Sequence, residues 1–303
     1  MKAIIFGGSG FLGSHVADAL TDAGYDVTIY DLKKSRYLKN DQRMIEGDIL
    51  DSNKVEKTVK DSDVVYNFAG IADIDDAAQR PLDSVRFNIL GNSLILEACR
   101  NAGIKRFVFA SSLYVYSKSG SFYRSTKQAC ELLIENYHEI FSLNYTILRY
   151  GTLYGPRSNE NNVIYRFIEQ AFTEGKITRY GDGEELREYI HVFDAARGSV
   201  EILSEEFKNQ HVIITGHQQM KVKDLLLMIK EMFDNKIKLE YLPANKSFHY
   251  EITPYSFAPK IGNRLINKTY LDLGQGILDV IHILYKQLNP LPTYDGIVIK
   301  DKD

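Results

Sequence analysis

The chain is 303 residues long, with 37 Lys and Arg against 40 Asp and Glu, a net charge of -3 and 44% hydrophobic residues. That length suits about two domains or one large α/β domain, and without a basic surplus the chain is not expected to coat nucleic acid. Two cysteines exclude a disulfide scaffold and suit a reducing compartment. No apolar run approaches the roughly 18 residues of a membrane span, and the first residues run into a strand rather than a signal peptide, so a soluble cytoplasmic protein is expected.

The chain opens on the β-prone run Lys2 to Phe6, then Gly7-Gly8-Ser9-Gly10-Phe11-Leu12-Gly13, then Val16, Ala19 and Leu20 at helical spacing. A second apolar run, Val27 to Tyr30, ends at Asp31. Strand, glycine turn, helix and strand make one βαβ unit. Further buried-strand candidates are Val64 to Phe68, Phe107 to Ala110 and Tyr145 to Leu148, with helical patterns at Ser84 to Asn101 and Arg124 to Phe141 between them. Continuous apolar strands alternating with helices predict a parallel sheet covered on both faces. The expected fold is therefore α/β, a Rossmann-type doubly wound sheet with a smaller C-terminal α+β region. Residues 1–150 form the dinucleotide domain, with part of 187–217 returning to it; residues 151–186 and 218–303 form the substrate region. In that second half one strand (His211 to Ile214) and two helices (Val222 to Phe233, Gly276 to Leu288) are predicted.

The glycines have a mechanical reading. Gly7 allows a sharp turn, Gly10 lets backbone approach a pyrophosphate, and Gly13 lets helix and strand pack closely. The phosphates would meet the free N–H groups opening the helix at Phe11 and Leu12. Asp31 would accept both adenosine ribose hydroxyls and repel a 2′-phosphate, favouring NAD over NADP, although Lys33, Lys34 and Arg36 lie close by. Asp48, followed by Ile49, is a candidate for the adenine amino group or simply an Asx turn.

Ser111 and Ser112 close a strand at the carboxyl edge, where such sheets bind ligands. Tyr123 and Lys127 at i, i+4 share a helix face. A phenol near its reference pKa of about 10 is a poor base; a neighbouring ammonium favours the phenolate. Ser112 would hold a substrate oxygen while Tyr123 exchanges its proton. The histidines have no zinc-type spacing, so no metal is expected.

The combination resembles the extended short-chain dehydrogenase/reductase family, in its nucleotide-sugar epimerase/dehydratase branch. The resemblance rests on the glycine turn, Asn67-Phe68-Ala69-Gly70, Asn88 with Gly91-Asn92, Ser111-Ser112, Tyr123 to Lys127, Leu148 through Tyr150 to Arg157, and Gly181-Asp182-Gly183 running to Asp194. It implies that Phe68, Ala69 and Gly70 flank the nicotinamide half of NAD, with Asn88, Ser111 and Tyr150 nearby. It also implies that Arg187 grips the diphosphate of a sugar nucleotide, a task suited to a planar guanidinium, with Arg157 and Thr152 as further substrate residues. His191 reads as strand packing and Asp194 as a helix N-cap. The helices from Ser84 and Arg124 would pair with a second subunit in a homodimer. No nucleic acid or membrane partner is expected.

Departures from the family narrow the chemistry. Leu113 and Tyr114 stand where 4,6-dehydratases carry Asp and Glu, and decarboxylases also carry a glutamate at the second position. No cysteine stands near Leu113, as 3,5-epimerising reductases require. Expected, then, is C4 oxidation of the sugar with NAD, leading to 4-epimerisation. The alternative is net 4-dehydrogenation or 4-ketoreduction, which the short Ser112 to Tyr123 segment and Ala72, in place of a cofactor-holding lysine, keep open. A non-catalytic NAD sensor is the alternative of another class. Segments around His249 to Glu251 and Tyr255 to Lys260 are further candidates for substrate contact.

Overall fold

The computed structural model describes residues 1–243, the short strand 263–264 and residues 269–289. The first half runs β1 (Lys2–Phe6), α1 (Phe11–Asp22), β2 (Asp26–Asp31), β3 (Arg43–Glu46), α2 (Ser52–Val59), β4 (Val64–Asn67), α3 (Ile74–Gln79), α4 (Pro81–Ser84), α5 (Gly91–Ala102), β5 (Arg106–Ser112), α6 (Ser121–Phe141) and β6 (Tyr145–Tyr150). Val85–Leu90 joins α4 to α5 as a π-helical segment. There follow β7 (Thr152–Tyr154), α7 (Val163–Glu174), β8 (Lys176–Tyr180), β9 (Leu186–His191), α8 (Val192–Glu201), β10 (Gln210–Ile214), β11 (Gln219–Lys221), α9 (Val222–Met232), β12 (Lys238–Leu242), β13 (Asn263–Arg264) and α10 (Leu273–Leu288).

Eight strands form one sheet in the order β13-β10-β6-β5-β4-β1-β2-β3, every neighbouring pair parallel. This is the predicted doubly wound sheet. The central strands are apolar on both sides because both sides are covered. One face packs Phe6, Val65, Phe107 and Ile147 against α2, α5 and α6. The other packs Ile5, Tyr66, Val108 and Leu148 against α1 and α8.

The second half has its own apolar cluster, in which Phe167, Ile168, Leu225, Leu226, Ile229, Ile277 and Val280 of α7, α9 and α10 close over Ile177 and Tyr189. Its strands form small sheets, β11-β9-β7 and β12-β8. Helix α7 and strands β8 and β12 are absent from the predicted elements. The predicted helices at Val222 to Phe233 and Gly276 to Leu288 correspond to α9 and α10. Asp194 is not the N-cap of α8: His191 holds that position, its Nδ1 accepting from the Phe193 N–H. Asp194 sits within the first turn, pairs with Arg197 and accepts from the Leu271 N–H. The segments around His249 and Tyr255 lie outside the described residues.

Candidate active site

Because the strands of the main sheet are parallel, the segments leaving β1, β2, β4, β5 and β6 gather at one edge. A cavity of about 630 Å³ opens there. Gly7, Gly10, Phe11, Leu12 and Gly13 line it after β1, Asp31 after β2, Phe68, Ala69 and Gly70 after β4, and Ser111 and Ser112 at the end of β5. Tyr123, Lys127 and Tyr150 close its inner end.

The glycine turn is built for close approach. Gly7 has φ +78, and a Cβ there would stand 2.6 Å from the Ala69 nitrogen. A Cβ at Gly13 would overlap the Gly7 carbonyl and stand 2.9 Å from Gly8 Cα. Gly10 is the N-cap of helix α1, which has no side-chain cap and no acidic residue in its first turn, and Gly10 to Gly13 line the cavity, so the helix start is open to an anion there. Asp31 is held in place: Oδ2 accepts from the Ser9 N–H at 3.0 Å and Oδ1 from the Lys33 N–H at 3.3 Å. This cradle, with an acid at one end and an anion-binding helix start in the middle, fits a dinucleotide.

Two expected cofactor residues stand behind the lining. Asp48 forms an Asx turn, Oδ1 accepting from the Leu50 N–H at 2.9 Å, and it is Ile49 that reaches the cavity. Asn88 is buried in the π segment. Its Oδ1 accepts from the Ile71 N–H at 2.7 Å, and its Nδ2 donates to the Ile71 carbonyl and to Thr126 Oγ1 at 3.0 Å. Asn88 thus fastens the Ala69-Gly70-Ile71 loop to α6, and the widened π turn points it there.

Register brings the inner end together. Ser112 of β5 lies opposite Tyr150 of β6, and the Ser112 Oγ accepts from the Tyr114 N–H at 3.3 Å. Only a 3₁₀ turn (Leu113–Tyr116) and residues 117–120 separate β5 from α6. Tyr123 therefore sits in the opening turns of α6, its ring edge-on to Tyr114 at 6.0 Å. One turn on, Lys127 is buried, its Nζ 5.8 Å from the Tyr123 ring centre, 4.7 Å from that of Phe109, and donating to the Ala110 carbonyl at 2.7 Å. Burial lowers its pKa to about 8, the nearby Cys130 and Glu131 opposing the drop. The Tyr150 hydroxyl is engaged with Ser199 Oγ at 2.6 Å, so Tyr150 offers the cavity its ring.

A second cavity, about 290 Å³, shares Ala72, Ser112, Tyr123, Tyr150, Gly151 and Leu153 with the first. Thr152 and Arg187 line it, as do Arg166 and Arg179, which sequence reasoning missed. Arg187 is buried on β9, Glu185 pairs with Arg179, and Glu184 with Lys221 and Lys223. Arg157 lines neither cavity; it pairs with Asp18 at 2.7 Å and lies over the Tyr37 ring, so the structure does not bring it to the substrate residues. Leu113 points into the core with Val115, Tyr116 and Ile213, whereas Tyr114 lines the second cavity. No cluster of metal-binding type occurs among the described residues.

The profile of the "NAD dependent epimerase/dehydratase family" matches residues 3–215. The chain belongs to this family. It is 28% identical over 296 residues to UDP-N-acetyl-alpha-D-glucosaminuronate decarboxylase of Bacillus cytotoxicus, covering 89% of this chain and 90% of that one. It is 27% identical over 260 residues to dTDP-D-glucose 4,6-dehydratase of Mus musculus, covering 76% and 73%. The crystal structure of UDP-glucuronic acid 4-epimerase from Bacillus cereus, in complex with UDP-glucuronic acid and NAD, superposes with a TM-score of 0.82 at 26% identity, over 95% of this chain and all of that one. Family and fold are thus those of NAD-dependent enzymes of nucleotide-sugar metabolism, and NAD is the dinucleotide that the glycine cradle and Asp31 suit. Among the described residues, no helix is long and apolar enough to cross a membrane.

Proposed function

We propose that this enzyme is a 4-epimerase of a nucleotide-diphosphate sugar. NAD, when bound, supplies reversible oxidation at C4, giving a 4-keto-sugar that is reduced again on its other face. Tyr123 removes and returns the C4 hydroxyl proton. Lys127, whose ammonium lies 5.8 Å from the centre of the Tyr123 ring, favours the phenolate through its charge. Ser112 donates to the same substrate oxygen. Arg187 holds the diphosphate, with Thr152 beside the sugar. Gly7, Gly10, Phe11, Leu12 and Gly13 hold the pyrophosphate of NAD and Asp31 its adenosine ribose.

One observation carries the choice of reaction: among the described residues, Ser112 and Tyr123 line both cavities, with Lys127 beside them in the first, and these are the groups set to move a proton at the junction. Dehydration and decarboxylation require more. Leu113 is buried away from the cavity, and Tyr114 puts a ring where a carboxylate would be needed. Of the two carboxylates among the described residues of the second cavity, Asp73 caps α3 and Asp75 is exposed. Net 4-dehydrogenation or ketoreduction needs the same three residues. Its support is Ala72, which leaves no lysine to retain the cofactor.

The deciding experiment is incubation of NAD-loaded protein with UDP-glucuronic acid and neutral UDP-, dTDP- and GDP-sugars, reading C4 configuration by NMR and NADH by absorbance. Inversion without net NADH supports the epimerase; stoichiometric NADH supports the dehydrogenase. A 4-keto-6-deoxy or decarboxylated product overturns both, and NAD binding with no turnover of any sugar favours a sensor.

Residues 1–150, with part of 187–217, serve as the cofactor domain in this reading, and the rest as the substrate region of a cytoplasmic enzyme. The homodimer is part of the same reading: Leu82, Val85, Leu90, Phe122 and Leu132 are exposed on the segments around α4, α5 and α6, apolar side chains that a second copy would cover. Sedimentation at a mass of one chain would remove the dimer without touching the chemistry.

A further inference from the structure

Tyr123, Lys127 and Glu131 follow one another at i, i+4 and i+8 on α6, so they share one helix face. The first two line the cofactor cavity, and the third does not. Glu131 instead enters a buried polar cluster behind it. Its Oε1 accepts from Ser111 Oγ at 2.5 Å and from Arg149 Nε at 3.1 Å, and its Oε2 from Arg149 Nη2 at 2.6 Å. Arg149 is only 2% exposed, the largest fully buried side chain among the described residues, and lies against the Tyr116 ring and hydroxyl. Its Nη2 meets His211 Nδ1 at 2.8 Å, and His211 Nε2 meets Glu135 Oε1, back on α6, at 2.8 Å. The cluster ties α6 to β5, β6 and β10.

The attachment points matter more than the burial. Ser111 precedes Ser112, and Arg149 precedes Tyr150; these are the positions paired across β5 and β6 at the cavity's inner end. A buried charge of this kind is poor evidence for stability, since an apolar group of the same volume often does as well. It is better suited to fixing geometry, because hydrogen bonds to a charged group are strong and directional. We propose that Glu131 is the positioning residue of the catalytic pair: it clamps α6 to the ends of β5 and β6 and thereby sets where Tyr123 and Lys127 face Ser112. The proposal rests on the reading of those three residues as the catalytic group.

Charge supports the same role. Burial alone would push the Glu131 carboxyl up; His211, Arg149 and Ser111 around it reverse that and hold it at about 2, so it stays ionised. The groups facing it are Arg149 and Tyr145 from β6, His211 from β10, and Lys127, Cys130 and Glu135 on its own helix, with Tyr116 beyond Arg149. Its negative charge opposes the loss of the Lys127 proton. Replacing it by glutamine keeps the volume and removes that charge, which lowers the Lys127 pKa, and it leaves Arg149 without its counter-ion.

The test uses Glu131→Gln and protein carrying ¹³C at the lysine ε position, with the Lys127 resonance assigned by its loss in Lys127→Met. Expected are a Lys127 midpoint lower than wild type by about one unit and a kcat roughly tenfold to a hundredfold lower, with KM and NAD affinity within about twofold. A purely structural role would lower thermal stability and leave the kcat of the folded fraction unmoved; that result overturns the proposal, whatever the Lys127 midpoint does, because the lost charge alone lowers that midpoint. If Glu131→Gln does not fold, Ser111→Ala removes one leg of the clamp, and an unchanged kcat there is equally fatal. The NMR titration needs no substrate. Normal turnover by Tyr123→Phe therefore sinks the catalytic reading, whereas an intact kcat in folded Glu131→Gln sinks the clamp alone.

Discussion

Replacing Lys127 by methionine should make the protein inactive and, near neutral pH, more stable. The side chain is 7% exposed in the structure, and burial lowers its pKa from 10.5 to about 8. At roughly 1.4 kcal/mol per unit, holding the ammonium in the fold costs about 3 kcal/mol. The sign follows from proton binding. Between pH 8 and 10.5 the unfolded chain holds the proton that the native state has lost, so stability rises with pH. The cost is fully present below the folded pKa and vanishes above the unfolded one. In that upper limit the amine and a methionine differ mainly by the hydrogen bond to the Ala110 carbonyl, worth about 1 kcal/mol. Lys127→Met is therefore expected to exceed wild type by about 2 kcal/mol near pH 7, and the two should converge near pH 10. Urea unfolding of both proteins without cofactor, followed by far-ultraviolet circular dichroism because the chain has no tryptophan, measures the difference at each pH. A difference that stays constant from neutral to alkaline pH would refute the desolvation argument, and with it the claim that a buried ammonium tunes Tyr123.

Three other outcomes are expected. Tyr123→Phe should bind NAD as wild type does by calorimetry while its turnover drops by roughly a hundredfold or more, in line with loss of a general base. Gly13→Ala forces a Cβ onto the Gly7 carbonyl, which is backbone and cannot rotate aside; thermal unfolding should register a loss of about 1 to 3 kcal/mol, and NAD titration a weaker affinity. Arg187→Ala should raise KM for the sugar nucleotide far more than it lowers kcat, and an unchanged KM would remove Arg187 from the diphosphate site.

The legible parts of this molecule are those whose physics is local. The βαβ start is readable because a parallel strand buried on both faces must be continuously apolar, as Lys2 to Phe6 nearly is, and because Gly7 and Gly13 occupy positions where no Cβ fits. Tyr123 and Lys127 are readable because i, i+4 on a helix forces a shared face. The misreadings come where partners are distant in sequence. Asp194 has the composition of an N-cap, but His191 takes that place, and the carboxylate is drawn to Arg197 and the Leu271 N–H, which is 77 residues away. The resemblance implies a substrate role for Arg157, yet Asp18 of α1 holds it, and it lines neither cavity.

Glu131 marks the limit of sequence reading more sharply. One turn beyond Lys127, on a helix whose other positions include exposed polar residues, a glutamate reads as solvated surface, since charged side chains are seldom fully buried. What makes it buried is Arg149, 18 residues on and itself hidden in a strand of apolar neighbours. Each charge is costly alone, and each is tolerated because the other is there. Such a pair is invisible until the sheet has brought β6 beside β5 and laid α6 across them. The same geometry explains why the Tyr123–Lys127 face does not end at the cavity wall. Its third rung continues into the core, where Ser111 and Arg149 leave α6 little freedom to slide or rotate against the strand ends that carry Ser112 and Tyr150.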